Sequence, residues 1–250
     1  MRIRMRGLAA TLTVSALCLT AVACEGSSDD KKPAKTEAGK TEAGKTEAGK
    51  TEPTTSQAPA VTPLTAAQMK AATLEAKDLP SGWKASKAEP SKDDPKADKP
   101  ECQPIAGVLA DKIAGATIGG DMEFERGGGD SSLAQQVFTF SGTGAADYVK
   151  PISTALGACT GFSFEMEGMK ADVKLEKLTA PQAGEEALAF RFKMAFPEMA
   201  GFKIEMNLLV ARQGTGVTRL AHIPANASGH KDFDALAKLA GDKFTKAAQG

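Results

Sequence analysis

The sequence predicts an α+β fold in which one antiparallel sheet is flanked by helices, and three observations lead to this class. From Asp121 onward, apolar side chains recur at every second position in several short segments, as expected of strands with one buried face. Segments with helical spacing lie at the start, middle and end of the region and do not alternate with the strands. The 250 residues are 42% hydrophobic and 25% charged, which is typical of a globular protein.

The first residues have the features of a secretory signal peptide. Arg2, Arg4 and Arg6 precede an apolar run of about a dozen residues over 8–20. A membrane-spanning helix needs about 20 predominantly apolar residues, and charged residues follow this run too soon to allow one. The sequence therefore predicts that residues 1–23 are a cleaved signal peptide.

A cysteine directly follows this segment, in Ala21-Val22-Ala23-Cys24. These four residues resemble the lipobox of bacterial lipoproteins, in which small residues precede a cysteine that receives a diacylglyceryl thioether and becomes the new N-terminus. The resemblance implies that Cys24 is lipidated and that acyl chains such as palmitate hold the protein on the extracytoplasmic face of the cell membrane. The alternative is cleavage near Ala23 followed by release.

Residues 24–63 are predicted to form a disordered tether. Thr36-Glu37-Ala38-Gly39-Lys40 recurs at 41–45 and at 46–50, and Val61 is the only large apolar side chain, so the segment cannot bury a core. A random coil of this length spans roughly 35 Å, and a fully extended chain about 130 Å. A solvated spacer is favoured over the alternative, an array of partner-binding repeats.

The folded domain is predicted to comprise residues 64–250 and to open with a helix over 66–77. Thr65 and Gln68 form a capping box at its start. Asp78-Leu79-Pro80-Ser81-Gly82-Trp83 ends the helix, because Pro80 disfavours helix in the preceding residue and Ser-Gly favours a turn. Trp83 is expected to anchor the following strand in the core.

Three further helices are predicted. The first begins at Pro104, after a polar surface loop over 84–100, and presents on one face Ile105, Val108, Leu109 and Ile113. The second spans 144–156, where Pro151 must kink it or begin it. The third spans 231–248 and has a continuous apolar stripe.

The predicted strands share an apolar face, here called the Phe/Met face. Its candidate ligand-contacting residues are Phe162, Phe164, Met166, Phe190, Phe192, Met194, Ile204 and Met206. A Met-rich apolar surface can line a lipid-accepting groove, but packing as core beneath the helices is favoured. The opposite strand face is charged and is expected to meet water or a partner; it carries Glu165, Glu167, Arg191, Lys193, Lys203 and Glu205.

Two cysteines remain once Cys18 is assigned to the signal peptide and Cys24 to the lipobox. Cys102 and Cys159 are therefore predicted to form a disulfide in an oxidising compartment. Closing the loop between them contributes about 4 kcal/mol in the chain-entropy model.

Short motifs carry a wider resemblance. Leu79-Pro80-Ser81-Gly82-Trp83 ends the first helix, a cysteine begins the next, and Ala158-Cys159-Thr160-Gly161-Phe162 follows a later helix. These features resemble the extracellular sensor domain of mycobacterial receptor serine/threonine kinases, a module that also occurs in free-standing actinobacterial lipoproteins. The resemblance covers about residues 64–250 and implies an antiparallel sheet flanked by helices, a cleft for an unknown ligand, and no catalysis. Family members commonly have a second disulfide, for which this chain has no cysteines.

Other functional classes find little support. Equal numbers of basic and acidic residues, 31 of each, lack the footprint of a nucleic-acid-binding protein. His222 and His230 have no supporting cysteine or carboxylate spacing, so no catalytic residue, metal or cofactor is predicted. The glycines around Cys159 have the outline of a nucleophile elbow, but a helix precedes this cysteine and a strand follows it, in the reverse of the required order.

These observations together predict a membrane-anchored extracytoplasmic lipoprotein whose sensor-like domain binds an unknown envelope ligand or protein without catalysing a reaction. The alternative is a carrier that holds lipid or another apolar molecule against the Phe/Met face. A hydrolase is disfavoured because the sequence lacks an acid–base set.

Overall fold

The computed structural model describes residues 62–87, 94–166, 168–226 and 229–250, except for the side chains of Met166 and His230. The predicted signal peptide, Cys24 and the tether up to residue 61 lie outside the described residues. Thr62, the first described residue, contacts the sheet through its carbonyl, which accepts a hydrogen bond of 3.0 Å from Thr215 Oγ1. The Leu64 amide then donates to Thr139 Oγ1 at 2.9 Å.

Eight strands form one antiparallel sheet in the order β1-β2-β3-β8-β7-β6-β5-β4. The strands are β1 (Lys84–Ser86), β2 (Thr117–Arg126), β3 (Ser131–Thr139), β4 (Gly161–Met166), β5 (Met169–Leu178), β6 (Glu186–Ala195), β7 (Lys203–Gln213) and β8 (Gly216–Ile223). The sheet consists of two meanders, β1 to β3 and β4 to β8, joined where β3 pairs with β8. With its flanking helices, this sheet confirms the predicted α+β fold class.

The described part of the chain contains four α-helices: α1 (Ala66–Ala72), α2 (Gln103–Ala106), α3 (Gly144–Ala158) and α4 (His230–Gln249). The last two agree closely with the predicted ranges. Pro151 lies inside α3 on its exposed side, and the helix continues beyond it.

Helix α1 is shorter than predicted, because a side chain from β3 ends it. The predicted capping box is present, with the Gln68 amide 3.2 Å from Thr65 Oγ1. At the other end, buried Gln135 accepts from the Leu74 amide at 2.6 Å and donates to the Ala72 carbonyl at 3.2 Å. These bonds satisfy backbone groups that another helical turn would otherwise pair, so the helix stops at Ala72.

Helix α2 is also shorter than predicted, and it passes into a 3₁₀ turn over 107–109. Buried Arg219 of β8 donates to the Val108 carbonyl at 2.7 Å and to the Ala110 carbonyl at 2.9 Å. In a longer helix these carbonyls would accept hydrogen bonds from backbone amides one turn later, but here they accept them from the Arg219 guanidinium. Ile113 therefore lies beyond the helix and is only partly buried against the core.

The two faces of the sheet are covered differently. Helices α2 and α3 pack on one face, here called the closed face, and bury it from β3 to β4. Helices α1 and α4 pack on the other face over β2, β3, β8 and β7. The predicted disulfide is present: Cys102 and Cys159 are bonded, with Cα atoms 5.3 Å apart, and tie the start of α2 to the end of α3.

Candidate ligand-binding site

A groove crosses the second face of the sheet where β4 to β7 extend beyond α4. Strand register aligns two rows of side chains on this face, here called the charged rows. The first row is Gly161, Lys174, Lys193 and Glu205, and the second is Ser163, Asp172, Ala195 and Lys203. The groove has a volume of about 660 Å³.

Backbone forms the floor of this groove. Phe162, Val173 and Met194 line it from the row between the charged rows, yet their side chains pack in the core on the closed face. Because successive side chains of a strand point to opposite faces, these residues present main chain to the groove. Gly161 must lack a side chain, since a Cβ there would lie 2.6 Å from the Val173 carbonyl oxygen.

The segment before α2 closes one end of the groove at the edge strand β4. The Asp98 amide donates to the Ser163 carbonyl at 2.9 Å, and the Ser163 amide donates back to Asp98 Oδ1 at 2.7 Å. Lys99 Nζ donates to the Gly161 carbonyl at 2.7 Å. These bonds pair backbone groups of β4 that would otherwise lie at an open sheet edge.

One carboxylate of the groove is held in its charged form. Ser163 Oγ donates to Asp172 Oδ1 at 2.6 Å, and Lys170 Nζ lies 3.6 Å from the same oxygen. The Ser163 hydrogen bond and then the Lys170 charge lower the pKa of Asp172 below its usual value. Asp172 is therefore ionised at neutral pH.

The lysines of the charged rows fall into two groups. Lys193 Nζ is 2.6 Å from Glu176 Oε2, so its charge is balanced within the protein. Lys174 and Lys203 flank the groove from opposite charged rows, are exposed, and form no salt bridge with any described residue. Among the described residues, the arrangement places two ammonium groups without a salt bridge near the carboxylates of Asp98, Asp172 and Glu205.

The structure buries most of the predicted Phe/Met face beneath α3. Phe162, Phe164, Phe190, Phe192, Met194 and Met206 are each 3% exposed or less. Phe162 and Phe192 meet edge to face with ring centroids 5.8 Å apart. Ile204 is partly buried against the same cluster, and the side chain of Met166 lies outside the description. These side chains pack as core, so a ligand on the closed face would have to displace them.

The charged face predicted from alternation is only partly open. Lys193, Lys203 and Glu205 meet in the groove, whereas Glu167 lies outside the described residues. Glu165 is exposed on β4, and Arg191 is half-buried beside Glu176. Over β2, β3, β8 and β7 this face is covered by α1 and α4, because these strand segments carry apolar residues such as Leu209 and Leu220. Sequence reasoning did not single out Ser163, Asp172 or Lys174, although each lies at an alternate position opposite the Phe/Met face.

The remaining candidate residues do not form a reactive centre in the part of the chain that is described. His222 is buried, with Nε2 3.4 Å from Ser131 Oγ and its ring stacked on Phe233. The described residues contain no cluster of three or more His, Cys, Asp and Glu side chains suited to a metal. No described helix is both long and apolar enough to cross a membrane.

Comparison with solved structures places this architecture among known folds. The crystal structure of the extracellular domain of PknH from Mycobacterium tuberculosis matches with a TM-score of 0.54 and 12% sequence identity, over 76% of this chain and 98% of that domain. This chain shares the fold of that domain. The similarity of fold confirms the resemblance indicated by the sequence motifs.

A second solved structure is more distant. An uncharacterized protein from Mycobacterium smegmatis, the ortholog of Rv0999, has a TM-score of 0.37 and 11% identity over 74% of this chain and 96% of its own. A TM-score this low does not define a shared fold. No protein-family model and no curated protein matches the sequence.

Proposed function

We propose that this protein is a non-catalytic binding protein of the cell envelope, anchored through lipidated Cys24, and that the groove over the charged rows is its ligand site. The observation that carries the binding proposal is the position of Lys174 and Lys203 on either side of a groove floored by backbone. A binding role agrees with a fold similar to that of an extracellular kinase domain. The predicted signal peptide and the lipobox-like sequence at Cys24 support the envelope location.

The ligand is an envelope molecule, or a segment of an envelope protein, that carries at least one anionic group. Lys174 and Lys203 supply charge-assisted hydrogen bonds to such a group, which are about twice as strong as neutral ones. Ionised Asp172 favours a ligand that also carries a donor or a cation. The site therefore favours polar ligands that carry an anionic group together with a hydrogen-bond donor or a cation.

A catalytic role has little support in the described residues. Ser131 and His222 lie near each other, but they are 2% and 0% exposed, so a substrate would not reach them. Cys102 and Cys159 are bonded to each other and offer no thiolate.

A lipid carrier is the second candidate function. It would have to hold acyl chains against the Phe/Met face, where six side chains are 3% exposed or less beneath α3. Opening this packing would expose a large apolar area to water, which is costly. The groove therefore supports the binding role better.

Titration of the full mature chain with citrate, a small polyanion, tests the groove. Amide resonances of Gly161, Lys174 and Lys203 are expected to shift together in NMR spectra. The double variant Lys174→Ala/Lys203→Ala should weaken citrate binding about tenfold or more, because losing about 1.4 kcal/mol of binding energy costs a factor of ten. Lys177→Ala, on the same strand as Lys174 but outside the groove, is the matched control. Equal weakening by the control would show that citrate binds only through general surface charge.

The anchor is tested separately with Cys24→Ala. Without acyl chains the variant should move to the medium or accumulate as an uncleaved precursor, because the lipid is the proposed means of membrane attachment. Cell fractionation with N-terminal sequencing measures both outcomes. A cleaved variant that stays with the membrane would refute the lipid anchor.

A further inference from the structure

A second cleft, here called the tryptophan cleft, lies between the turn that ends in Trp83, the end of β2 and α4. Its volume is about 460 Å³. The apolar residues that line it are Leu79, Pro80, Ala235, Leu236 and Leu239. It shares no lining residue with the groove over the charged rows, and it contains the Leu79–Trp83 motif that the proposed function leaves without a role.

The charges that line the tryptophan cleft are balanced within the protein. Asp78 Oδ2 lies 2.5 Å from Lys243 Nζ, and Arg126 Nη2 lies 2.5 Å from Asp232 Oδ2. A charged ligand would have to compete with these ion pairs. The cleft therefore favours a ligand without net charge.

One residue that lines the cleft carries a buried donor without an acceptor. Trp83 is only 6% exposed, and its indole Nε1 has no hydrogen-bond acceptor among the described residues. A buried N–H without an acceptor is unfavourable, so a ligand that brings one gains binding energy. A carbonyl oxygen is a suitable acceptor because it is strong and carries no net charge.

Arg126 packs over the indole ring of Trp83. Its guanidinium lies 4.9 Å above the indole ring, and its side chain runs past Gly82, where a Cβ would be 3.5 Å from Arg126 Cγ. Gly82 has a φ of +94°, which favours glycine and allows the turn to place Trp83 under Arg126. The Arg126 and Asp232 side chains are 32% and 42% exposed, and ion pairs of such exposure contribute little stability. Displacing the guanidinium would break this exposed pair and its contact with the indole ring.

We propose that the tryptophan cleft binds a neutral molecule with a hydrocarbon chain and one carbonyl group. The chain packs against Leu79, Leu236 and Leu239, and the carbonyl oxygen accepts a hydrogen bond from Trp83 Nε1. This proposal is independent of the ligand in the groove.

Trp83 is the only tryptophan of the chain, so its fluorescence reports directly on this cleft. The experiment titrates the full mature chain with monodecanoylglycerol below its micelle concentration and, in parallel, with the 1-decylglycerol ether, which has a similar chain but no carbonyl. The ester is expected to give a saturable change in emission and to bind at least tenfold more tightly than the ether. Equal affinities, or no saturable change with the ester, would overturn the proposal.

Two variants locate the binding. Ala235 is an exposed residue of α4 that lines the cleft, and arginine is a good helix former, so Ala235→Arg should fold and fill the cleft. Ester binding should then fall at least tenfold. Asp234→Arg places the same side chain at the adjacent exposed position outside the cleft and should bind as the parent does. If Ala235→Arg shows a changed melting curve, Leu239→Ser at the cleft wall replaces it with the same expected loss. Parental affinity in a folded cleft variant would refute the proposal.

Discussion

Adjacent residues of β6 show how differently the two faces of the sheet are built. Phe192 is completely buried on the closed face, where it meets Phe162 edge to face. Lys193, the next residue, is exposed on the second face and pairs with Glu176. Because alternate side chains serve different surroundings, one strand contributes stability through one face and polar recognition through the other. Substitutions one residue apart should therefore have separable effects.

The largest effect is expected for Phe192→Ala. Removing a buried phenylalanine loses its transfer free energy and leaves a cavity, so the variant should lose about 3–5 kcal/mol of unfolding free energy. Urea denaturation of the variant and its parent measures the difference. Lys193→Ala is the paired control and should change stability by less than about 1 kcal/mol. A Phe192→Ala variant as stable as its parent would show that the closed face is not packed core and would favour the carrier alternative.

The disulfide stabilises the closed face, and its removal should have the next largest effect. The double variant Cys102→Ser/Cys159→Ser is expected to lose about 2–5 kcal/mol, because the unfolded chain gains conformational freedom. Denaturant titration measures the loss. The bond itself is checked by thiol titration of the folded parent with Cys24 replaced by serine. Two reactive thiols under oxidising conditions would contradict the pairing.

Removing a polar side chain should lower the stability of the protein more on the covered half of the second face than on the open half. Gln135→Leu leaves the Leu74 amide and the Ala72 carbonyl without their partner. Unsatisfied buried groups of this kind cost about 1–3 kcal/mol. Thermal unfolding of the variant, compared with Ser163→Ala in the groove, measures the contrast. If both variants unfolded at the same temperature as the parent, Gln135 would not be what ends helix α1.

The smallest effect concerns the acid stability of the groove. The lowered pKa of Asp172 means that its interactions with Ser163 and Lys170 stabilise the fold above the ordinary carboxyl pKa. That contribution disappears as the pH falls through the lowered pKa of the folded state. Asp172→Asn should thus be less stable than the parent near neutral pH, and the gap should narrow as the pH falls below the ordinary carboxyl range. Urea midpoints across this range provide the measurement, and a gap that does not change with pH would contradict the assignment.

Local patterns in the sequence predicted most of the fold. Alternation marked the strands of the second meander, and the apolar stripe of α4 set that helix to within a residue at each end. The ends of α1 and α2 could not be predicted, because Gln135 and Arg219 reach them from distant strands. A local propensity does not contain such tertiary hydrogen bonds.

The groove was predictable only in part. Alternation showed that the strands carry charges opposite the Phe/Met face, but which charges become neighbours depends on cross-strand register. Lys174 lies opposite Lys193 because β5 and β6 pair in one particular register, set by the turn and by core packing. Asp98 and Lys99 belong to a polar segment without periodicity, so nothing in their sequence indicated that they close the groove.

The junction of the two meanders determines when the strand pairing of the sheet can be completed during synthesis. Ser132 of β3 lies opposite Ile223 of β8, so a central pairing of the sheet waits until nearly the whole chain has been made. At about 5–20 residues per second, this edge of β3 remains without its partner for roughly 5–20 seconds during synthesis. An unpaired edge can recruit strands from other chains, so the pairing of β3 with β8 also guards against association between chains. A chain that stops before Gly216 would keep that edge open permanently.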